Sequence, residues 1–244
     1  MSIARTLATA RRVLQQLVHD KRSIALLLVV PSVLLLLFKY VYSSSSPLFD
    51  RVGPQLLGIF PFIIMFLLTS VTMVRERTSG TLERLLTTPL QRGELVLGYG
   101  LAFGLAAVLQ SVITAAVALG PLGLNVHNPT MIGVFAVIDA LLGTGLGLLM
   151  SAFATTEFQA VQFMPAIVLP QLLLCGLLNA RSKMAEPLRW LSDVLPLSYA
   201  TDGITAASQH PAVTAQVYRD ALVVLGCLLA AIGLAGITLR RRTG

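Results

Sequence analysis

The sequence predicts an all-α fold: a polytopic membrane protein with six transmembrane helices, an N-terminal interfacial helix and re-entrant external helices before the last span. Three observations predict it. Of 244 residues, 55% are hydrophobic and only 12% are charged, where a soluble domain carries about 25% charge and needs it to cover its surface. Apolar runs near 20 residues recur along the chain, each long enough at about 1.5 Å per residue to cross a hydrocarbon core of roughly 30 Å. The basic residues that give the net charge of +7 fall between those runs. They read as topology signals, so nucleic acid is excluded as a partner and membrane lipids are expected.

The chain reads as one transmembrane domain over 1–244, beginning with an amphipathic segment at 1–23. Ile3, Leu7, Ala10, Leu14 and Leu17 recur at helical spacing, with Arg5, Arg11 and Arg12 elsewhere on the wheel. Such a helix lies in the headgroup layer with arginines against anionic lipid, or packs as a leader helix on neighbouring loops. The spans follow at 24–42, 55–74, 95–119, 131–154, 158–180 and 221–239, the first read as retained because 23 residues precede it and no A-x-A site follows. The loop at 181–219 is too apolar for a linker, while neither half is long enough to span. Short helices dipping into the outer leaflet, with Trp190 and Tyr199 at the interface, or a small external cap, fit this composition.

An even number of spans places both termini on one side. Twelve of the 18 Lys and Arg fall there: Arg5, Arg11, Arg12, Lys21 and Arg22 at the start, Arg75, Arg77, Arg84 and Arg92 after the second span, and Arg240, Arg241 and Arg242 in the tail. The expected side is the cytoplasm. The connection between spans 4 and 5 should lie on the same side although Glu157 is its sole charge.

The sequence contains little that resembles catalytic chemistry. Lys21, Lys39 and Lys183 follow Asp20, Phe38 and Ser182, so no lysine follows the glycine of a P-loop, and no catalytic residue, bound cofactor or metal site is expected. Gly143-Thr144-Gly145-Leu146-Gly147 lies within an apolar span without a preceding strand, which points to tight helix packing. His19, His127 and His210 are scattered, and Cys175 and Cys227 lie in apolar stretches as small hydrophobes. Asp139 is the one carboxylate deep within a span. It is either functional, as intramembrane charges often are, or hydrogen-bonded to a neighbouring helix.

The densest signal follows span 2, in the segment 75–94. Leu82, Leu85 and Leu86 share a helical face, Gly80 is an acceptable N-cap with Glu83 at the third position, and Pro89 ends the turn. The result is a short helix with an apolar knob ringed by charge, suited to a groove in another protein or to the membrane surface.

These residues resemble a known family. Glu76-Arg77, Gly80-Thr81-Leu82-Glu83, Leu85-Leu86 and Thr88-Pro89 are similar to the signature of ABC-2 type transporter permeases, the membrane subunits of ATP-binding-cassette exporters. Downstream, Pro170 to Gly176, Pro187-Leu188, Leu191-Ser192 and Leu195 to Ala200 resemble that family's fifth span and the external segment after it. Asn179-Ala180-Arg181 and Met184-Ala185 stand where many members have prolines, and Cys175 where serine is frequent.

The resemblance implies a permease that pairs with a second permease subunit and two copies of a separate ABC ATPase, ATP and Mg being held by that partner. It implies an interfacial elbow at Ile3 to Val18, and ATPase coupling through Glu76, Arg77, Gly80, Thr81, Leu82, Glu83, Leu85 and Leu86. It also implies a path between spans 2 and 5, for which the candidates are Phe62, Met65, Phe66, Thr69, Gln159, Gln162, Phe163 and Gln171. A mostly apolar lining suits a hydrophobic or amphipathic cargo better than an ion. The compact chain resembles the daunorubicin-resistance type, implying drug or metabolite efflux across a bacterial plasma membrane, with lipid-linked glycan export as the alternative. From other classes, an ion-driven secondary transporter would show repeats and intramembrane charge pairs, and a membrane scaffold would need no coupling knob.

Overall fold

A computed structural model describes residues 2–42, 46–80 and 92–242. The described chain is helical: α1 (Ile3–His19), α2 (Lys21–Val41), α3 (Ser46–Thr78), α4 (Arg92–Leu119), α5 (Pro129–Ser151), α6 (Glu157–Leu174), α7 (Glu186–Val194), α8 (Pro196–Gln209) and α9 (Ala215–Arg242). Helices α2, α3, α4, α5, α6 and α9 are each long and apolar enough to cross a membrane, so the chain is a multi-pass membrane protein. They run alternately between a proximal end, which carries α1 and the end of α9, and a distal end, which carries α7 and α8.

Polar residues at the loops set the helix starts. Asp20 closes α1 and caps α2: its Oδ1 accepts the backbone N–H groups of Arg22 and Ser23 at 3.2 and 3.3 Å, and its Oδ2 accepts the Ser23 hydroxyl at 2.7 Å. These bonds hold the Asp20 carboxyl below its ordinary value. At α5, Asn128 accepts the N–H of Met131 at 3.1 Å and Pro129 stands in the first turn. At α6, Thr156 accepts the N–H of Gln159 at 3.2 Å, while Gln159 Oε1 accepts the N–H and hydroxyl of Thr155 at 2.8 and 2.9 Å.

Helix α5 is the axis of the bundle and packs on α3, α4, α8 and α9. Its glycine run permits this. A Cβ on Gly143 would stand 2.3 Å from the carbonyl oxygen of Phe62, and one on Gly147 would stand 2.7 Å from that of Phe66. Backbone therefore lies against backbone where α3 and α5 meet. Gly145 faces the other way, onto Leu228 of α9. The packing role read from the sequence for this run is the one it fills.

Several boundaries differ from the hydropathy runs. The helix that holds the second span begins at Ser46 where the apolar run begins at 55, the helix of the last covers Ala215–Arg242 around the run 221–239, and the helix of the fourth ends at Ser151 where the run ends at 154. The fifth, read as 158–180, stops at Leu174 because Gly176 turns the chain at φ +97, and a 3-10 turn at Arg181–Lys183 follows. Apolar residues continue past the turn, so hydropathy carried the run too far.

The segment between α6 and α9 folds back onto the bundle. In α8, Gly203 lies against the ring of Phe135 and Ile204 against Gly58. Phe135 is six residues inside α5, about 9 Å from its distal end at 1.5 Å per residue. Leu197, Ala200, Ile204 and Ala207 of α8 are buried, whereas Trp190, Leu191 and Val194 of α7 are exposed.

The contact of α3 with α5 generates a prediction. Gly143→Val should destabilise the protein by about 3 kcal/mol or more, since the added carbons meet main chain that cannot yield. Gly133→Ala, in the same helix but with open space around it, should leave stability unchanged or slightly raised. Thermal unfolding of both variants in detergent checks this.

Candidate coupling end and transport path

The proximal end of α3 collects the charged residues. Three consecutive side chains, Arg75, Glu76 and Arg77, leave the helix about 100° apart at 3.6 residues per turn and reach different neighbours. Arg75 holds Glu157 at the start of α6 with two parallel bonds of 2.9 Å each, and stands 4.0 Å from Asp20 at the junction of α1 and α2. Glu76 is buried and lies 3.6 Å from Arg12 of α1, whose guanidinium donates to the Tyr99 hydroxyl of α4 at 2.5 Å. Arg77 donates to the carbonyls of Ser151 and Ala154, satisfying acceptors left open where α5 ends. One turn of helix thus fastens α1, α4, α5 and α6 to α3.

The same contacts fix relative sidedness. Glu157 meets Arg75, so the connection between spans 4 and 5 lies beside the exit of span 2, as the alternation of six spans requires. Gly80 takes φ +70 and its N–H donates to the carbonyl of Arg77, so it terminates α3, while the helix it was expected to cap lies outside the described residues. Of the expected coupling residues, Glu76, Arg77 and Gly80 are described. Thr81, Leu82, Glu83, Leu85 and Leu86 lie outside the described residues.

Helix α1 packs on α4 along one face and leaves part of its apolar stripe exposed. Thr6, Thr9, Ala10, Val13 and Leu17 are buried, with Thr9 against Gly98, while Ile3, Leu7 and Val18 are exposed. The threonine hydroxyls bond within α1, Thr9 to the carbonyl of Arg5 at 3.0 Å, so polar residues serve a packed face at little cost. The exposed apolar edge remains available to lipid.

The candidate path residues separate into two groups. Phe62, Met65, Phe66 and Thr69 are fully buried inside the protomer, Phe62 and Phe66 against α5, α6 and α9, and Met65 toward α4. None of the four presents surface to solvent. On α6, Gln162 is exposed, Phe163 packs near Val74 and Ala154, and Gln171 is buried and donates to the carbonyl of Ile167 at 3.2 Å. Gln159 is committed to the start of its helix. Asp139 is fully buried ten residues into α5, and both its oxygens lack a hydrogen-bond partner among the described residues. Its Oδ2 faces Gly58, where a Cβ would stand 3.2 Å away.

At the distal end a cavity of about 420 Å³ opens between α3, the turn after α6, and α8. Arg51, Gln55, Asn179, Arg181, Asp202, Thr205 and Gln209 supply its polar lining. Arg181 donates to both Asp193 and Asp202 and lies over the ring of Tyr199 at 5.6 Å, closing the turn onto α7 and α8. Burial raises the Asp202 carboxyl above its ordinary value, and Arg181 opposes that shift. Neither this cluster nor the Arg12, Tyr99 and Glu76 cluster is marked by sequence spacing, because each joins residues far apart in the chain.

Comparisons with known proteins agree with this architecture. The profile of the ABC-2 type transporter family matches residues 5–208. Similar curated proteins include the probable multidrug ABC transporter permease YbhS of Escherichia coli (26% identical over 78% of this chain and 51% of its own) and YbhR of the same organism (28%, over 62% and 41%). The linearmycin resistance permease protein LnrN of Bacillus subtilis is 26% identical over 69% of this chain and 44% of its own. The chain thus matches about half the length, or less, of these relatives. With six helices among the described residues long and apolar enough to cross a membrane, and a family profile that covers most of its length, the chain belongs to the ABC-2 type transporter family.

Proposed function

We propose that this chain is the transmembrane subunit of a bacterial exporter for hydrophobic or amphipathic compounds, driven by ATP hydrolysis on a separate subunit. Two copies, or one copy and a paired homologue, each engage an ATPase that holds ATP and Mg, and the proximal end with both termini faces the cytoplasm. The observation that carries this reading is the fastening of α1, α4, α5 and α6 to the last turn of α3, directly before the segment 81–91. A push on that segment reaches five helices at once. The names of YbhR, YbhS and LnrN, which speak of multidrug transport and linearmycin resistance, support the cargo class.

The path forms against the second subunit. Helix α6 is the shortest span and most of its length is unburied, with Phe158, Val161 and Gln162 exposed along its proximal half. Phe62, Met65, Phe66 and Thr69 join the path only when α3 moves on α5, and Asp139 is exposed to it in the same step. Coupling then requires that nucleotide favour one arrangement of α3 over the other.

Leu82→Asp or Leu85→Asp should abolish co-purification with the ATPase, or leave association intact while transport in vesicles falls at least tenfold. Unchanged pull-down and unchanged vanadate-sensitive transport would overturn the coupling role. Vesicle transport driven by a proton gradient without ATP would overturn the energy source. The bond between Arg75 and Glu157 is half-exposed, so Arg75→Ala should cost at most about 1 kcal/mol of stability. Arg75→Glu should nevertheless reduce transport several-fold, and adding Glu157→Arg should restore it, as read in the same vesicles.

A further inference from the structure

Asp139 stands near the middle of the membrane, ten residues and about 15 Å from the distal end of α5 in a core roughly 30 Å thick. Its side chain is fully buried, and both oxygens lack a hydrogen-bond partner among the described residues. No charge balances it. The titratable group close enough to interact with it is the Cys175 thiol in the turn after α6. The charged and titratable groups of the other elements around α5 are engaged or distant: Arg51 of α3 lines the distal cavity, Tyr99 of α4 is held by Arg12 at the proximal end, Asp202 of α8 pairs with Arg181, and Asp220 of α9 pairs with Arg219. An ionised carboxylate so placed would have neither water nor a partner, and costs far more than the neutral acid.

The surroundings are sealed unequally. Toward the proximal end, one turn further along α5, Gly143 lies against the main chain of Phe62, and no side chain separates the two helices. Toward the distal end the barrier is thin. Gly58, which faces Asp139 Oδ2, is one turn or about 4.5 Å from Gln55 on the floor of the distal cavity. That floor is closed by hydrogen bonds alone: the Gln55 amide donates to the Thr205 hydroxyl at 2.8 Å, Thr205 to the carbonyl of Thr201 at 2.7 Å, and the Thr201 hydroxyl to the carbonyl of Cys175. Two of these residues, and Ile204 over Gly58, belong to α8. Withdrawal of α8 therefore joins Asp139 to the cavity.

We propose that Asp139 is a proton-binding site open to the distal side alone, which holds its proton while α8 is seated and loses it when the cavity floor opens. The O–H bond breaks to a water entering from the cavity, a hydrated carboxylate remains, and closing takes a proton back from the same side. No proton crosses the membrane, so the site supplies no energy for transport and makes distal opening sensitive to pH. Above the ordinary carboxylate range, about pH 4, the open arrangement binds one proton fewer than the closed one, and each further pH unit shifts the ratio about tenfold toward open. The site needs only the second arrangement that the proposed function also needs, whatever the cargo or the ATPase.

The first test is the infrared spectrum of the full chain in nanodiscs. The wild type should show the carbonyl stretch of a neutral carboxylic acid from about pH 5 to about pH 8, where an ordinary aspartate is ionised, and Asp139→Asn should remove it. The second test uses Cys175, buried beneath α8, with Cys227→Ala removing the other thiol. Its rate of alkylation by an impermeant maleimide is divided, at each pH, by the rate in the same chain carrying Asp139→Asn, which cancels the titration of the thiol, His127 and His210. That ratio should rise about tenfold per pH unit, keep its slope in Asp202→Asn, and follow the pH on the reagent's side of proteoliposomes. A flat ratio, a slope lost in Asp202→Asn, a ratio set by the pH inside the vesicle, or isotope-labelled wild-type aspartates that are all ionised at about pH 8 would overturn the proposal. The last is read without any substitution and decides the matter even where Asp139→Asn does not fold. ATP-driven transport enters none of these readings, so failure of the exporter reading leaves the site standing.

Discussion

The direct contact of two backbones, α5 at Gly143 and Gly147 with α3 at Phe62 and Phe66, is the constraint on which the other features depend. Water drives no helix association inside a bilayer, so attraction must come from close van der Waals contact, which small residues permit. Because the two axes lie this near, the side chains of Phe62 and Phe66 are turned aside into the cluster with α6 and α9. The ends of α3 and α5 also come into register, so that Arg77 reaches the carbonyls where α5 stops. A longer side chain at Gly143 would undo both.

That proximity also isolates Asp139. Gly58 leaves no side chain opposite the carboxyl, and Ile204 of α8 covers the same glycine from the distal side. A buried carboxyl without a partner among the described residues is expensive. The structure keeps one in its most tightly packed interface, where any separation of α3 from α5 or withdrawal of α8 lets water reach it. The interior is therefore not uniformly comfortable in this arrangement, as a protein with more than one working conformation requires.

Much of this was legible in the sequence. All six spans follow from apolar length, the glycine run declared a close crossing, and the alternation of spans set the exit of span 2 and the connection between spans 4 and 5 on one side, where Arg75 and Glu157 touch. What hydropathy could not see was backbone angle. Leu177 and Leu178 extend the apolar run beyond Gly176, so the fifth span read too long. The packed face of α1 was not marked by hydropathy, because threonine bonded within its own helix serves there beside alanine and valine while Ile3 and Leu7 of the apolar stripe remain outside. Arg12, Tyr99 and Glu76 were individually ordinary. Only the fold brings residues 87 positions apart within hydrogen-bond reach, and no local spacing announces that.

Arg75, Glu76 and Arg77 have a mechanical consequence through their angular spread. Side chains tied to neighbours on three sides of one turn act like guy ropes, and α3 cannot twist about its own axis without breaking several ties together. Tilt and axial sliding strain them far less evenly: neighbours on one side go slack as those on the other tighten. A force delivered beyond Thr78 is therefore steered away from torsion and into leaning or piston-like travel, in directions set by which tie yields first. The most exposed of them, between Arg75 and Glu157, is the natural one to give way.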